Sequence, residues 1–142
     1  MWRILAGAAI LAIMKHKCSS CDSYLTLNKP CLVCGDELCG DCGYSLGDLG
    51  RCCKKHGDIN AALHNEPNVK VYSNNYKGKI TSPRFSKYIE TSFYTDKEDA
   101  TRALRFITAI NGGDIVQRVE FVRSTGEDGN YRYSIWQANG VI

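Results

Sequence analysis

The sequence has no cysteine beyond Cys53 and no histidine beyond His64. Its C-terminal half therefore offers neither a thiol nucleophile nor an imidazole for acid–base work. Carboxylates such as Glu90, Asp114 and Glu120 are read there as surface charge. No glycine-rich phosphate loop follows a strand pattern, and Asn111-Gly112-Gly113-Asp114 is read as a helix stop. Low-complexity runs are absent. A long hydrophobic run is absent too: Ile4 to Met14 is uninterrupted, but eleven residues at about 1.5 Å each reach only about half of a bilayer's roughly 30 Å core. A cleaved signal fits poorly, since the charge before this run is Arg3 alone and Lys15-His16-Lys17 follows without a small-x-small site. Residues 1–15 are thus an apolar N-terminal segment, read as a helix on the protein's own core or a partner. Interfacial membrane contact through residues 2–14 is the alternative, and a signal the weakest reading.

Charge of one sign is scarce as well. The net charge is +3; residues 1–66 carry seven Lys/Arg against seven Asp/Glu, and residues 67–142 carry eleven against eight. An excess this mild does not by itself argue nucleic acid.

What is present is concentrated. All eight cysteines lie between Cys18 and Cys53, and seven of them form with His56 four pairs separated by two residues: Cys18/Cys21, Cys31/Cys34, Cys39/Cys42 and Cys53/His56. Such spacing lets a tight turn bring two donors onto one ion while its N–H groups point at the thiolates. Gly35 and Gly43, each following a ligand, can supply the positive φ that these turns need. Eight donors fill two tetrahedral shells, so two structural zinc ions are expected. Disulfides are disfavoured by the regular pairing and the terminal His, and thiol redox chemistry by the lack of any βαβ pattern. Cys52 competes with Cys53 for one place. The two-residue gap to His56 favours Cys53, because a three-residue gap suits ligands on a helix turn. Basic residues of the Arg51-Cys52-Cys53-Lys54-Lys55 run can offset thiolate charge, although solvated surface is the simpler reading. His64 lies outside the complete donor set and is read as a loop residue.

The segment Cys31-Leu32-Val33-Cys34-Gly35-Asp36-Glu37-Leu38-Cys39-Gly40-Asp41-Cys42 resembles the central part of cross-brace zinc domains of the FYVE and B-box type, which are treble-clef zinc fingers. The four-residue gap between pairs carries the likeness, and RING fingers are similar with a shorter gap. The resemblance covers residues 18–56 and implies that Cys18, Cys21, Cys39 and Cys42 share one ion while Cys31, Cys34, Cys53 and His56 share the other. Two sequential sites, Cys18/21/31/34 and Cys39/42/53/56, remain the rival, which the near-repeat of the spacings favours. The lipid-binding residues of FYVE domains are missing: Thr26-Leu27-Asn28-Lys29-Pro30 stands where the basic motif belongs. The resemblance therefore implies only a zinc-stabilised interaction module.

Four regions follow: residues 1–15, a double-zinc module over 16–57, a linker over 58–68 and an α+β domain over 69–142. The last reads as β-β-α-β-β, an antiparallel sheet with one helix. Strands are expected at Val69 to Tyr72, Lys87 to Tyr94, Ile115 to Arg123 and Tyr131 to Gln137, with a turn from Thr125 to Asn130. A capping box of Thr95 and Glu98 is expected to open the helix, whose apolar stripe is Ala100, Ala103, Leu104, Ile107 and Ile110. Glu98 is placed to pair with Arg102.

These features describe a non-enzymatic zinc-binding protein acting as a protein–protein interaction module in the cytoplasm or another reducing compartment. The first alternative is a zinc-containing nucleic-acid binder. Its candidate surface is Lys70, Tyr72, Lys77, Lys79, Arg84, Lys87 and Tyr88, where cations meet stacking rings. The second alternative is a membrane-associated adaptor.

Overall fold

The structure, a computed structural model, describes residues 21, 29–38, 42–76, 78 and 87–142. The expected ligands Cys18 and Cys39, the apolar residues 2–14, and Lys77, Lys79 and Arg84 lie outside the described residues. The chain divides into two compact units, Met1–Lys54 and Lys55–Ile142.

In the first unit, β1 (Lys29–Pro30) pairs antiparallel with β2 (Glu37–Leu38), and β3 (Gly43–Ser45) with β4 (Arg51–Cys53). A bridge between Cys31 and Arg51 joins the two hairpins. Leu32, Leu49, Cys31, Cys52 and Cys53 are buried. Among the described residues of this unit the apolar set is small, so a further source of stability would matter to it. Gly43 does not take the positive φ expected after Cys42; it lies in the extended β3. Its missing side chain leaves room for Arg51 instead. A Cβ there would fall 2.9 Å from the Arg51 guanidinium, whose Nη2 donates to Gly43 O at 2.7 Å.

The second unit has mixed α and β content. Its sheet order is β5-β7-β8-β6, with β5 (Lys70–Ser73), β6 (Tyr88–Glu90), β7 (Ile115–Asp128) and β8 (Tyr131–Val141). The sheet is mixed, which corrects the antiparallel expectation: β5 runs parallel to β7, while β7/β8 and β6/β8 are antiparallel. The long connection between β5 and β7 has room for the crossover that a parallel pair requires.

Residues 58–68, expected as a linker, are instead α1 (Ile59–Asn65) and the 3₁₀ turn Glu66–Asn68. Asp58 caps α1 by accepting from Ala61 N at 3.2 Å, and Ile59 and Ala62 are buried three residues apart on one face. The second helix, α2 (Lys97–Ile110), packs against the sheet and against α1. Its cap is Asp96, which accepts from Glu98 N at 2.9 Å, so the cap lies one residue past the expected Thr95. Glu98 pairs with Arg105 rather than Arg102. Glu66, only 8% exposed, draws both arginines toward α1: Arg102 Nε lies 3.7 Å and Arg105 Nε 3.6 Å from its carboxylate.

The hairpin strands extend past their expected ends and close through Gly129-Asn130, with φ +61° at Gly129 as a II′ turn demands. Gly126, read as part of the turn, lies in β7, where the Tyr133 ring covers the space a side chain would need. At its other end β7 carries a bulge. Gln117 and Glu120 face Val141 and Asn139, and Val71 and Ser73 face Val116 and Val119, so both neighbours register one extra residue beside Arg118, whose φ is +55°. The extra residue resets the alternation and buries Val116 and Val119 together, although they are three apart.

Gly140 lies against that pair. A Cβ there would sit 2.7 Å from Val116 Cγ2 and 3.1 Å from both Val119 Cγ2 and Gln117 O. The backbone oxygen cannot move without disturbing the bulge. Gly140→Ala is therefore expected to cost about 1–3 kcal/mol, seen as a lower urea midpoint with an unchanged m-value.

Candidate metal centre

The knuckle that holds the first two donors follows directly from its sequence. Cys31 N donates to Asp36 O at 2.8 Å and Gly35 N to Cys31 O at 2.8 Å, closing residues 31–36 into a tight loop between β1 and β2. Gly35 takes the expected positive φ, +77°. The turn aims the Val33 N–H at Cys31 Sγ, 3.4 Å away. A second donor arrives from β4: Cys53 N, also 3.4 Å from Cys31 Sγ. The main-chain bond from Leu32 N to Arg51 O, 2.9 Å, fixes β4 beside the knuckle.

Cys53 ends β4, and His56 follows within the 3₁₀ turn Lys54–His56. The donor atoms of Cys31, Cys34, Cys53 and His56 all lie within 4.8 Å of one another. Cys34 Sγ and Cys53 Sγ are 3.8 Å apart. A disulfide needs about 2.05 Å. Two thiolates each about 2.3 Å from a tetrahedral zinc are separated by about 3.8 Å, so the spacing fits an ion and not a bond. Three sulfurs and one imidazole form a complete zinc donor set.

Burial alone would push the Cys31 thiol up, but the N–H groups of Cys53, Cys34 and Val33 together bring it down to about 6. Loss of hydration at its sulfur and the nearby Cys31 and Cys53 sulfurs push the Cys34 thiol up to about 12, although the residue as a whole is exposed. Three crowded sulfurs cannot all carry charge unaided. A divalent cation at their centre removes that obstacle and binds with release of the remaining protons.

This group unites the second pair with the fourth, as the interleaved pattern requires and the sequential pattern does not. Cys53 belongs to it and Cys52 does not. Cys52 is fully buried, its thiol donates to Cys53 O at 3.3 Å, and burial pushes it up to about 12. Cys53→Ser is accordingly expected to release bound zinc, while Cys52→Ser retains it; metal analysis after gel filtration separates the two, and the reverse pattern would exchange their roles. Cys21 is exposed and Cys42 half-buried. Lys54 and Lys55 are exposed, and so is His64 on α1.

The basic and aromatic set is divided. Lys70 and Tyr72 lie on β5 at one edge of the sheet, whereas Lys87 precedes β6, and Tyr88 lies on it, at the other edge. Three strand spacings of about 4.8 Å put these edges about 14 Å apart. Between them β7 carries Gln117, the exposed Arg118 and Glu120, and β8 carries Asn139. Tyr72 packs on Tyr76 at 4.6 Å between centroids, Lys87 Nζ donates to Asn111 Oδ1 at 3.0 Å, and Tyr88 OH donates to Glu90 Oε2 at 3.3 Å. Among the described residues no helix is long and apolar enough to cross a membrane.

Sequence reasoning missed the part of Arg51. It spans Gly43 and bridges to Cys31, and only an arginine two residues before a ligand hinted at it. Compared with family models, curated proteins and solved structures, the chain matches none.

Proposed function

We propose that this chain is a non-enzymatic zinc-binding protein whose metal is structural and whose role is to bind another protein. The observation that carries the reading is the donor count at Cys31, Cys34, Cys53 and His56. Four protein ligands close a tetrahedral shell, and a closed shell has no position for substrate or attacking water. On this reading Cys18, Cys21, Cys39 and Cys42 hold a second ion, interleaved with the first as in the cross-brace zinc fingers. The union of Cys31 and Cys34 with Cys53 and His56 supports that order over two sequential sites. Thiolate ligation suits a reducing compartment.

A protein partner is favoured over nucleic acid because Lys70 and Lys87, the described cations of the candidate surface, lie at opposite edges of the sheet. A backbone-tracking groove needs them in one line. Large apolar side chains are exposed meanwhile: Tyr131 is 69% exposed, Tyr88 60% and Val122 43%. Tyrosine of this kind is enriched at protein interfaces.

The test has two arms. Metal analysis of reduced protein is expected to give two zinc ions per chain if all eight donors are used, and a value near one removes the second site. Zinc-loaded protein is expected to show no appreciable affinity for single-stranded DNA or heparin at physiological salt, while affinity capture from the native host recovers a protein partner. Submicromolar binding to DNA that falls when Lys70 and Lys87 are neutralised would replace the protein reading with the nucleic-acid one. Co-sedimentation with liposomes that depends on residues 1–15 would replace it with the membrane adaptor.

A further inference from the structure

The second unit carries a cavity of about 230 Å³ where its two helices end. Asn65, Asn68, Val69, Ala109, Gly112, Gly113 and Asp114 line it. The volume falls below the roughly 300–1,000 Å³ of sites for drug-sized ligands, so it suits a single head group or side chain and not a cofactor.

The lining has one sign. Asn65 is the last residue of α1, Ala109 lies in the last turn of α2, and Gly112 and Gly113 follow directly. The C-terminus of a long helix carries the equivalent of roughly half a negative charge. No basic residue occupies the last turn of α2 to meet it. Neither Lys70, whose N–H donates to Asp114 O, nor Lys87, bonded to the Asn111 side chain, is among the residues that line the cavity. Asp114 adds a full negative charge, and the side-chain carbonyls of Asn65 and Asn68 add acceptors. The turn itself keeps the space open: Gly112, at φ +82°, closes the helix through Gly112 N to Ala109 O and Gly113 N to Thr108 O, and a Cβ at Gly112 would meet nothing within 4 Å.

From this geometry we propose that the cavity is a binding site for an organic cation, an ammonium or guanidinium group on a slender chain, held by the Asp114 carboxylate against the end of α2. Such a group can come from a free amine or from an arginine or lysine side chain of a peptide. The chemistry is the same: a planar guanidinium pairs with the carboxylate through two parallel hydrogen bonds and donates its remaining N–H groups to the amide carbonyls. The inference does not depend on zinc and stands or falls separately from the proposed function.

The full, zinc-loaded chain is titrated with methylguanidinium and, as a neutral isostere, methylurea, following the backbone amides of Asn65, Asn68, Gly112, Gly113 and Asp114 by NMR. Saturable shifts with methylguanidinium alone are expected. Asp114→Asn, which keeps the main-chain bond from Lys70 N to Asp114 O, should weaken binding at least about tenfold. Ala109→Leu, which fills the cavity from a half-buried helical position, should abolish binding with the melting temperature maintained. Agmatine and an arginine-containing dipeptide then distinguish the two sources, a free amine by tighter binding of the first and a side chain by tighter binding of the second. Shifts that rise linearly without saturation, equal response to methylurea, or an unweakened Asp114→Asn variant would each overturn the proposal.

Discussion

Replacing Cys31 by serine is expected to abolish the folding of the first unit and to leave the second folded. Cys31 is the sulfur on which the site converges: it is 2% exposed, accepts from Val33 N and Cys53 N, and shares the cluster with Cys34, Cys53 and His56. Around it the described apolar core is Leu32, Leu49 and the buried cysteines. Structural zinc in finger-sized peptides binds with about 10–16 kcal/mol at neutral pH, several times what so few buried side chains supply. Chelation of the wild-type protein should reproduce the effect. Far-UV circular dichroism should retain the α2 signal, while amide resonances of residues 29–53 collapse toward random-coil positions. Full dispersion of those resonances in Cys31→Ser would show that the metal is dispensable to the fold.

Acid should act through the same atom. A folded-state value of about 6 lies below the ordinary thiol value of 9.0, so the stabilisation from the Cys31 thiolate is complete above that ordinary value. It is lost as pH falls through about 6. The ion competes with protons at every ligand, which adds to the trend. Zinc release, read with a chromophoric chelator, is thus expected on acidification from neutral pH. The Cys34 thiol, pushed up to about 12, gives its proton to solvent only when the ion takes its place. Proton release on zinc binding at neutral pH should appear in calorimetry as a dependence on buffer ionisation enthalpy.

The metal centre was more legible in the sequence than the sheet, and the reason is geometric. A Cys-x-x-Cys pair with a following glycine specifies a local turn, so Cys31, Cys34 and Gly35 could be read from six consecutive residues. Which pairs share an ion depends on contacts between distant residues, which spacing leaves open. In the second unit the helix was readable because its stripe repeats at helical spacing, yet Phe106 and Thr108 fall off that stripe and are fully buried. They flank the stripe on either side, on a helix that packs against α1 as well as the sheet, and α1 was hidden by three Asn and Pro67 within residues 58–68, a composition that resembles a linker. Parallel pairing of β5 with β7 and the bulge at Arg118 have no short-range signature. The bulge breaks the very alternation used to assign faces.

Phe106 carries the second large expected effect. It is the largest fully buried side chain described, on the helix that packs against both the sheet and α1. Phe106→Ala leaves a void in a close-packed interior, and truncations of this kind cost about 3–5 kcal/mol. A small domain holds roughly 5–15 kcal/mol in total. At about 4 °C or more per kcal/mol, the melting temperature of the second unit should fall by at least about 12 °C. Phe93 provides the internal comparison, since it is 42% exposed and Phe93→Ala should stay within about 0.5 kcal/mol of wild type. Zinc content should be unchanged in both variants, because neither residue lies among the four donors. Calorimetry of the two proteins decides the matter. A Phe106→Ala protein that melts within about 2 °C of wild type would mean that α2 is not packed between sheet and α1 as described.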